Sequence, residues 1–531
     1  MKGKIISLIL PHGMRERIER GLLSEHRMES YAALLCGFNR QKDGGVGVQL
    51  LARDLVLMRE SDYEWRYLAG LRVKRTTLMA LLIEAERTGR GLIDLHTHPF
   101  SRRPSFSLND DRKEKEMAQC LARSSPVLLY GSVVFGSGFD GWEGRIWERR
   151  GAGQPLPRAI EAITCLETPL RRMESFTMPL RDAHSRRALA RACGNGKAGI
   201  FHPDGCGESG HFQERAIQAY GEEAVGRVAS LHVAVVGVGG VGSIVCERLA
   251  RMGVRRLTIV DHDRVEVSNL NRYALVGWLD ARRGLPKVFA AKRAMAVINP
   301  AVRVEAVFGS IREAEVLERL KESDLVVVAT DDHSSRAALQ RFCLQYLKPL
   351  IHTGIRLEAE RGKVREAVAQ VVLALPGRSC LLCSGVVNLT RASMELAHPA
   401  ERAELARRGY LRDDPSVPTP AVAHLNGIVA NLAVAELHNL VVGFKPQADM
   451  LIYDQLRDRL DRIEVPEDVT CPWCGWDSPF FAMGDAMEIE GCREIDAVDF
   501  PDVPDYSDPE ESGKAAEAES MSVGKGNMDN E

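Results

Sequence analysis

The chain has 531 residues and a mass of 58.7 kDa, which predicts two to four domains at about 100–200 residues per domain. Seventy basic and 73 acidic side chains give a formal charge of −3, which excludes a global basic field for nucleic acid or an anionic membrane. Because no run of about 18 uncharged apolar residues is present and the N-terminus has no secretion signal, we expect a cytoplasmic protein without a membrane span.

Residues 1–151 mix strand and helix patterns, which predicts one α+β domain. We expect a strand at Ile5–Leu10, an amphipathic helix at Arg75–Thr88 and a strand at Gly91–Leu95, followed by a hairpin. Residues 152–210 are rich in Pro, Gly and Arg and have no long periodic run. They are predicted to form a connector with short helices.

Residues 211–480 alternate apolar strands with helical stretches, which predicts a doubly wound parallel sheet of the Rossmann-like kind. Residues 481–531 are predicted to be an acidic, disordered tail, because nine acids against two lysines follow Pro501. The expected fold class is therefore α/β, with an N-terminal α+β domain and a C-terminal doubly wound domain.

A histidine pair ends the strand predicted at Gly91–Leu95. His96 and His98 lie two residues apart, so both side chains project to one side of the chain. Zinc prefers neutral imidazoles with a carboxylate and an open position for water, and Asp110 follows shortly after. Upstream, Glu29 precedes an apolar strand and is a candidate general base. These residue types predict a zinc hydrolase site.

His-x-His-Pro, a Ser-x-x-Asp and a Glu before an apolar strand together resemble the JAMM (JAB/MPN) metalloprotease family, over about residues 1–151. That family removes ubiquitin-like proteins by hydrolysing isopeptide or peptide bonds. The resemblance implies that His96, His98 and Asp110 are zinc ligands. It also implies that Glu29 is the general base and that Ser107 stabilises the oxyanion.

The spacing departs from the family pattern at the third ligand. The family usually has ten residues between the second histidine and the aspartate, which would place Asn109 in the ligand position. We prefer Asp110, because it keeps Ser-x-x-Asp intact and a carboxylate is the better zinc ligand. If Asn109 occupies the position, the domain becomes a non-catalytic binder of ubiquitin folds.

A glycine-rich turn lies between a strand and a helix in the second half of the chain. Gly237, Gly239 and Gly242 form G-x-G-x-x-G, which lets the backbone approach phosphates at a helix N-terminus. Asp261 ends the next strand, where an acidic residue binds ribose hydroxyls. A dinucleotide dehydrogenase fits these four residues equally well.

The residues that follow do not fit a dehydrogenase. Arg272 and Lys287 supply cations for a triphosphate, and Asp331 supplies a carboxylate for magnesium. With Asn269, the set resembles the ThiF/MoeB/ubiquitin-activating superfamily, which adenylates the C-terminal glycine of a ubiquitin-fold protein and releases pyrophosphate. The resemblance implies ATP and magnesium as cofactors. It assigns Asp261 to the ribose, Asn269, Arg272 and Lys287 to the phosphates, and Asp331 to magnesium.

Two further implications concern the subunits of that superfamily. An arginine from an N-terminal helix of one subunit reaches the partner's site, which predicts a homodimer. Arg215 is the best match, although the usual Arg-Tyr-x-Arg-Gln stretch is not intact here. Tyr273 is a second departure, because a glutamine often follows the Asn-x-x-Arg.

Four cysteines form two C-x-x-C pairs about ninety residues apart: Cys380, Cys383, Cys471 and Cys474. Four thiolates leave no open position, which predicts a structural zinc site. No cysteine lies between Gly385 and Val469, where an activating enzyme would keep a thioester-forming nucleophile. We therefore expect transfer to a separate acceptor, an E2-like protein or a sulfur donor, with Ser393 and Thr390 as open alternatives for an oxyester.

These observations predict a bifunctional enzyme of a ubiquitin-like modifier system. One domain would activate the terminal glycine of the modifier with ATP, and the other would process the precursor or remove the modifier. One alternative is sulfur-carrier activation that forms a thiocarboxylate for cofactor or metabolite synthesis. Another is a non-catalytic scaffold that binds nucleotide and a ubiquitin fold. The sequence does not identify the modifier or its targets.

Overall fold

A computed structural model describes residues 6–40, 47–68, 70–124, 129–148, 154–175, 212–396 and 421–489. Residues 490–531 of the predicted tail and residues 176–210 of the predicted connector lie outside the described residues. Residues 481–489 are described, and Phe481 and Ala482 are fully buried, so the prediction that a disordered tail begins at residue 481 is wrong. These residues are held by the apolar core that Phe481 joins.

The N-terminal half is built on a nine-stranded mixed sheet with strand order β11-β10-β1-β3-β2-β6-β7-β8-β9. Its strands are β1 Ile6–Leu10, β2 Tyr31–Arg40, β3 Val48–Leu57, β6 Gly91–Thr97, β7 Tyr130–Phe135, β8 Trp142–Glu148, β9 Leu156–Ala159, β10 Ala162–Cys165 and β11 Arg171–Glu174. A separate hairpin and three helices complete this half: β4 Tyr63–Tyr67, β5 Gly70–Val73, α1 Met14–Gly21, α2 Arg75–Arg87 and α3 Leu108–Ser124. The predicted hairpin is confirmed by the antiparallel pairing of β7 with β8.

The predicted boundary at residue 151 differs from the structure. Strands β9, β10 and β11 lie in the region predicted to be a connector with short helices, yet they belong to the N-terminal sheet. β10 pairs in parallel with β1, so that Leu8 lies beside the fully buried Ile163. These strands have four residues each, too few to show a clear alternation of apolar and polar residues, so the sequence pattern did not predict them.

The C-terminal half is built on an eight-stranded sheet with strand order β14-β13-β12-β15-β16-β17-β18-β19. Its strands are β12 His232–Val236, β13 Arg256–Asp261, β14 Arg303–Phe308, β15 Leu325–Val328, β16 Leu350–Glu360, β17 Lys363–Ala374, β18 Met450–Asp454 and β19 Arg459–Ile463. The first five strands in this order pair in parallel, and the last four pair in antiparallel fashion. The parallel part confirms the Rossmann-like prediction, and the antiparallel extension was not predicted.

Helices cover both faces of the C-terminal sheet, as a parallel sheet requires. They are α4 Glu214–Tyr220, α5 Glu222–Ser230, α6 Gly240–Arg251, α7 Trp278–Arg283, α8 Lys287–Ile298, α9 Ala314–Arg319, α10 His333–Gln345, α11 Leu389–Leu396 and α12 Ala423–Val442. α6, α8 and α12 contribute to the apolar core on one face, and α9 and α10 to the core on the other.

Among the described helices, α12 alone is long and apolar enough to cross a bilayer. In its most apolar 18-residue stretch, 61% of the residues are buried, and the helix packs against α6, β16 and β17. Glu436 of this helix is buried and accepts hydrogen bonds from Lys445 and Gln447. These contacts are those of a core helix.

The two halves share a core and a segment that follows the second cysteine pair. Residues 475–487, here named the bridging segment, contact the N-terminal sheet and helix α10 of the C-terminal half. Arg53 on β3 donates from Nη1 to the Phe481 carbonyl (2.5 Å) and from Nη2 to the Ser478 carbonyl (2.8 Å). Asp485 accepts a bond from the Arg40 backbone N–H at 2.6 Å and pairs with Lys321 at 2.5 Å. The bridging segment therefore couples the cysteine pairs to the N-terminal sheet.

Candidate functional site

The N-terminal half brings two histidines and an aspartate together at the carboxyl end of β6. His96 lies on β6, His98 follows just after it, and Asp110 lies in the first turn of α3. Nε2 of each imidazole is 3.7 Å from Oδ2 of Asp110, and the three ligand atoms lie within 4.8 Å of one another. We name these three residues the His–Asp cluster.

The chemistry of the His–Asp cluster fits a zinc ion. Nε2 of His96 is buried and has no hydrogen-bond partner within the described part of the chain. An unsatisfied buried nitrogen costs about 1–3 kcal/mol, which a bound metal would offset. Two imidazoles and one carboxylate are also a donor set that leaves zinc an open position.

The structure brings Asp110, and not Asn109, to the histidines. Asn109 is exposed one residue earlier on α3. Ser107 donates from its backbone N–H and from Oγ to Oδ2 of Asp110, at 2.8 Å and 2.7 Å. The single hydroxyl proton of Ser107 is thus directed at Asp110, so in this structure Ser107 positions that carboxylate.

Glu29 lies beside the His–Asp cluster, two residues before β2. Its Oε1 is 3.9 Å from Nε2 of His98. Its backbone N–H donates to the Tyr67 carbonyl at 3.1 Å, which anchors it to the β4–β5 hairpin. Burial raises the pKa of Glu29 from 4.5 to about 7, against the opposing charge of His96. A carboxyl with such a pKa can both accept and return a proton near neutral pH.

Burial and the neighbouring charges shift the pKa values of the three residues in the His–Asp cluster. Burial alone would lower the pKa of His96, but the adjacent Asp110 carboxylate raises it above the usual value. Burial and His96 lower the pKa of His98. Burial opposes ionisation of Asp110, yet His96 and Ser107 hold the pKa of Asp110 far below its usual range. Asp110 is therefore ionised and available as a ligand.

Sequence reasoning missed a hydrogen-bonded carboxylate on the strand that carries His96. Asp94 lies two residues before His96 on β6 and accepts hydrogen bonds from the hydroxyls of Tyr31 and Tyr130. Burial raises the pKa of Asp94 to about 6. The signal was present in the sequence, because Asp94 is the one acidic residue in the apolar run Gly91–Leu95.

In the C-terminal half, the glycine-rich turn joins β12 to α6. Gly237 has φ of +84°, and a Cβ on it would lie 2.6 Å from the Ala329 carbonyl oxygen. A Cβ on Gly242 would lie 1.8 Å from the Gly237 carbonyl oxygen. Gly239 precedes α6 and leaves the helix N-terminus open. The turn therefore requires glycine at Gly237 and Gly242, and the open space at Gly239 lets a phosphate approach the N-terminus of α6.

Asp261 ends β13 beside this turn. Its Oδ2 accepts from the Val238 N–H (2.7 Å) and its Oδ1 from the Asp263 N–H (2.8 Å). Burial raises the pKa of Asp261. Lys287, the first residue of α8, donates from Nζ to Oδ2 of Asp263 at 2.7 Å. Asp261 and Lys287 thus lie near each other beyond the carboxyl end of β13.

Asn269 and Arg272 lie on the loop after β13. Oδ1 of Asn269 accepts from the Glu266 N–H at 3.1 Å and closes a short turn. Arg272 donates from Nη1 to the Ser268 carbonyl at 2.7 Å. A Cβ on Gly240 would lie 3.5 Å from Cγ of Arg272, so the arginine lies at the start of α6.

Asp331 follows β15 at the same edge of the sheet. Its neighbour Asp332 is engaged, because it caps α10 by accepting from the Ser335 N–H (2.7 Å) and pairs with Arg312 (3.2 Å). The side chain of Asp331 is exposed, and its carboxylate has no hydrogen bond within the described residues. Carboxylate oxygens are preferred magnesium ligands, so Asp331 fits the predicted role better than Asp332.

Arg215 is not brought to the nucleotide site within one chain. It lies on α4, and the preceding Gln213 donates to the Arg251 carbonyl at 2.8 Å, at the C-terminal end of α6. The glycine-rich turn is at the other end of α6, about 18 Å away at 1.5 Å per residue. The predicted role of Arg215 therefore requires a second subunit.

The two cysteine pairs meet, although about ninety residues separate them. Sγ–Sγ distances are 3.7 Å for Cys380–Cys383, 3.8 Å for Cys380–Cys471 and 3.5 Å for Cys383–Cys474. A disulfide requires about 2.05 Å, whereas four sulfurs at 2.3 Å from a tetrahedral zinc are about 3.8 Å apart. The four thiols therefore fit a closed zinc site.

Comparison with known proteins defines the C-terminal half. Residues 213–473 match the ThiF family. A sulfur carrier protein adenylyltransferase of Thermus thermophilus is 29% identical over 50% of this chain and 90% of its own length. The HesA protein of Leptolyngbya boryana is 28% identical over 50% of this chain and 86% of its own length.

Two further similarities cover less of the related protein. Ubiquitin-like modifier-activating enzyme 5 of Drosophila virilis is 28% identical over 46% of this chain and 58% of its own length. The crystal structure of Escherichia coli MccB with ATP covers 50% of this chain and 74% of that chain, at 19% identity and a TM-score of 0.40.

The glycine-rich turn, the parallel sheet and the family match agree. The C-terminal half of the chain is a ThiF-type adenylation domain. The family match begins at residue 213 and does not include the His–Asp cluster.

Proposed function

We propose that the C-terminal half adenylates the terminal glycine carboxylate of a ubiquitin-like or sulfur carrier protein, with ATP as co-substrate and magnesium as cofactor. The observation that carries this proposal is the convergence of the glycine-rich turn, Asp261, Lys287 and Asp331 at one edge of a parallel sheet. The names of the Thermus thermophilus and Drosophila virilis relatives, which specify a sulfur carrier and a ubiquitin-like modifier, indicate the class of protein substrate.

The chain's own residues supply binding and charge. The N-terminus of α6 faces the triphosphate, and Asp261 retains lone pairs that accept from the ribose hydroxyls. A carboxylate oxygen of the carrier attacks the α-phosphorus of ATP. A new O–P bond forms, and the bond between the α-phosphorus and the pyrophosphate oxygen breaks. Arg272 and Lys287 stabilise the departing charge. Asp331 would hold magnesium, which neutralises phosphate charge when it is bound.

Lys287 must exchange partners in this scheme. Its ammonium group contacts Asp263, and its side chain is only 12% exposed. Since the triphosphate carries more negative charge than one carboxylate, the ammonium would turn to the phosphates when ATP binds. Asp263 thus holds Lys287 near the site until the nucleotide arrives.

ATP–pyrophosphate exchange tests the proposal. The assay uses ubiquitin-fold proteins encoded beside this gene, each with its terminal glycine intact or removed. We expect exchange only with the intact terminus. An exposed site variant, Asp331→Asn, should lose exchange and keep the melting temperature.

A second activity is proposed for the N-terminal half, namely hydrolysis of a peptide or isopeptide bond after the same terminal glycine. The observation that favours it is the His–Asp cluster with Glu29 only 3.9 Å from His98. His96, His98 and Asp110 would hold zinc, which acidifies water and polarises a carbonyl when it is bound. A JAMM-type protease is the resemblance behind this proposal.

Glu29 and Ser107 are the remaining parts of that proposed site. Glu29 accepts a proton from the attacking water and returns it to the leaving amine, for which its raised pKa is suited. Ser107 holds Asp110, and its hydroxyl would be freed to stabilise the oxyanion only if that bond opened.

A fusion of a ubiquitin-fold protein with a short C-terminal extension tests the hydrolase. The protein with zinc should release the extension after the glycine, and Glu29→Gln should not. If the wild type and the Glu29→Gln variant both bind zinc but cleave neither fusions nor conjugates, the N-terminal half is a binding module for ubiquitin folds.

The adenylate has two routes in this proposal: transfer toward a conjugate, or reaction with a sulfur donor to give a thiocarboxylate. Since no cysteine lies between Gly385 and Val469, we propose transfer to a separate E2-like protein or sulfur donor. Mass spectrometry of the carrier terminus distinguishes a thiocarboxylate from a conjugate. Ser393 donates to the Leu389 carbonyl at 2.9 Å, as an ordinary helical serine does.

We further propose a homodimer, in which Arg215 of one subunit completes the site of the other. The four-cysteine site is proposed to hold structural zinc, which requires reduced thiols and therefore a reducing, cytoplasmic compartment. Light scattering measures the dimer, and metal analysis of the four-cysteine site measures the zinc.

A further inference from the structure

His352 is fully buried, yet neither of its ring nitrogens has a hydrogen-bond partner within the described part of the chain. Each unsatisfied buried polar group costs about 1–3 kcal/mol, and native proteins retain few of them. By contrast, the buried His232 has partners on both nitrogens, the Glu322 carbonyl at 3.1 Å and Thr258 Oγ1 at 2.9 Å. Both ring nitrogens of His352 are therefore available to a ligand.

The imidazole lies one strand away from the nucleotide site. His352 on β16 pairs with Val328 on β15, and Thr353 donates to the Val328 carbonyl at 3.1 Å. The next residue, Ala329, is the one whose carbonyl approaches Gly237 of the glycine-rich turn. Ligands of such sheets bind outside the carboxyl ends of the strands, where the strand order reverses. Here the reversal falls between β12 and β15.

Two further polar side chains lie on this part of the sheet, Thr330 two residues after Val328 and Gln370 on the strand that pairs with β16. Oγ1 of Thr330 is buried and has no partner among the described residues. Gly354 lies two residues after His352 on the same face of β16, and a Cβ on it would lie 2.9 Å from Nε2 of Gln370 and 3.1 Å from Nε2 of His352. Gly354 thus allows an amide and an imidazole to come together. Gln370 is partly exposed, so its movement would open the imidazole to the surface.

We propose that His352, with Thr330 and Gln370, binds the peptide group before the terminal glycine of the protein substrate. A neutral imidazole offers one donor and one acceptor, which match the C=O and N–H of a peptide group. Triphosphate oxygens only accept, so they would leave one ring nitrogen unsatisfied. Burial and the charge of Arg336 lower the pKa of His352 well below its usual value, which keeps it neutral. The assignment rests on the proposed adenylation.

The test uses the full-length protein with ¹⁵N-labelled histidine and the synthetic peptide Ala-Ala-Gly-Gly as the probe. The ring resonances of His352 are assigned by their loss in His352→Phe. We expect the peptide to shift them, and ATP with magnesium alone to leave them in place. His352→Phe should weaken peptide binding about tenfold or more, since hydrogen bonds are lost.

Stability separates a binding role from a structural one. His352→Phe keeps an aromatic ring and removes two unsatisfied nitrogens, so its melting temperature should equal or exceed that of the wild type. His232→Phe is the matched control and should melt lower, because the Glu322 carbonyl and the Arg256 guanidinium each lose a hydrogen-bond partner.

The assignment is overturned if the peptide leaves the His352 resonances unchanged, if ATP alone shifts them, or if His352→Phe melts as low as His232→Phe. Pyrophosphate exchange is measured separately. Loss of exchange with a preserved peptide shift refutes the adenylation and not the binding site.

Discussion

Glu29→Gln should stabilise the metal-free protein at alkaline pH while it abolishes hydrolysis. Burial raises the pKa of Glu29 from 4.5 to about 7, so the folded protein favours the protonated carboxyl. That contribution to stability is complete below pH 4.5 and is lost as the pH rises through about 7. At about 1.4 kcal/mol per pKa unit, the loss is at most about 3–4 kcal/mol at pH 8.

The neutral amide of the Glu29→Gln variant avoids this loss, so the variant should exceed the wild type at pH 8 and match it at pH 4. The assay is urea unfolding of both chelated proteins across this range. Glu16→Gln on the exposed face of α1 is the control and should show no such difference. Equal stability of Glu29→Gln and wild type at pH 8 would refute the claim that burial raises the pKa of Glu29.

Three further changes test other parts of the structure. Lys287→Ala should raise the KM for ATP about tenfold or more and leave the melting temperature near that of the wild type, and an unchanged KM would remove Lys287 from the site. Cys380→Ser should lower bound zinc by one ion and lower the melting temperature, and unchanged zinc content would contradict a four-cysteine site. Arg53→Ala should cost about 2–4 kcal/mol in urea unfolding, because it leaves the Phe481 and Ser478 carbonyls of the bridging segment unpaired, whereas a cost near zero would show that this segment does not couple the halves.

The long periodic elements of the fold could be predicted from the sequence. The alternation of apolar strands and helical stretches over residues 211–480 predicted the parallel sheet, since burial on both faces produces long apolar runs. The edge strands β9 to β11 and the bridging segment could not be predicted. They are short, and what fixes them is contact with residues far away in the chain, such as Ile163 with Leu8 and Phe481 with Arg53.

The candidate sites were predictable where a motif fixes the spacing. The histidine pair lies at the end of a strand, and the structure places Asp110 beside it. The glycines lie at a strand-to-helix turn, and the structure places Asp261 and Lys287 near that turn. His352 was not predictable. Its significance lies in the lack of partners among the described residues of a packed sheet, which only the three-dimensional arrangement reveals.

The central claim is that the chain adenylates a protein terminus, and carrier-dependent ATP–pyrophosphate exchange measures it most directly. We predict exchange with wild-type protein only when the ubiquitin-fold partner retains its terminal glycine, and a loss of about 100-fold or more in Asp331→Asn. The claim would be contradicted by exchange that does not depend on the terminal glycine, or by an Asp331→Asn variant as active as the wild type.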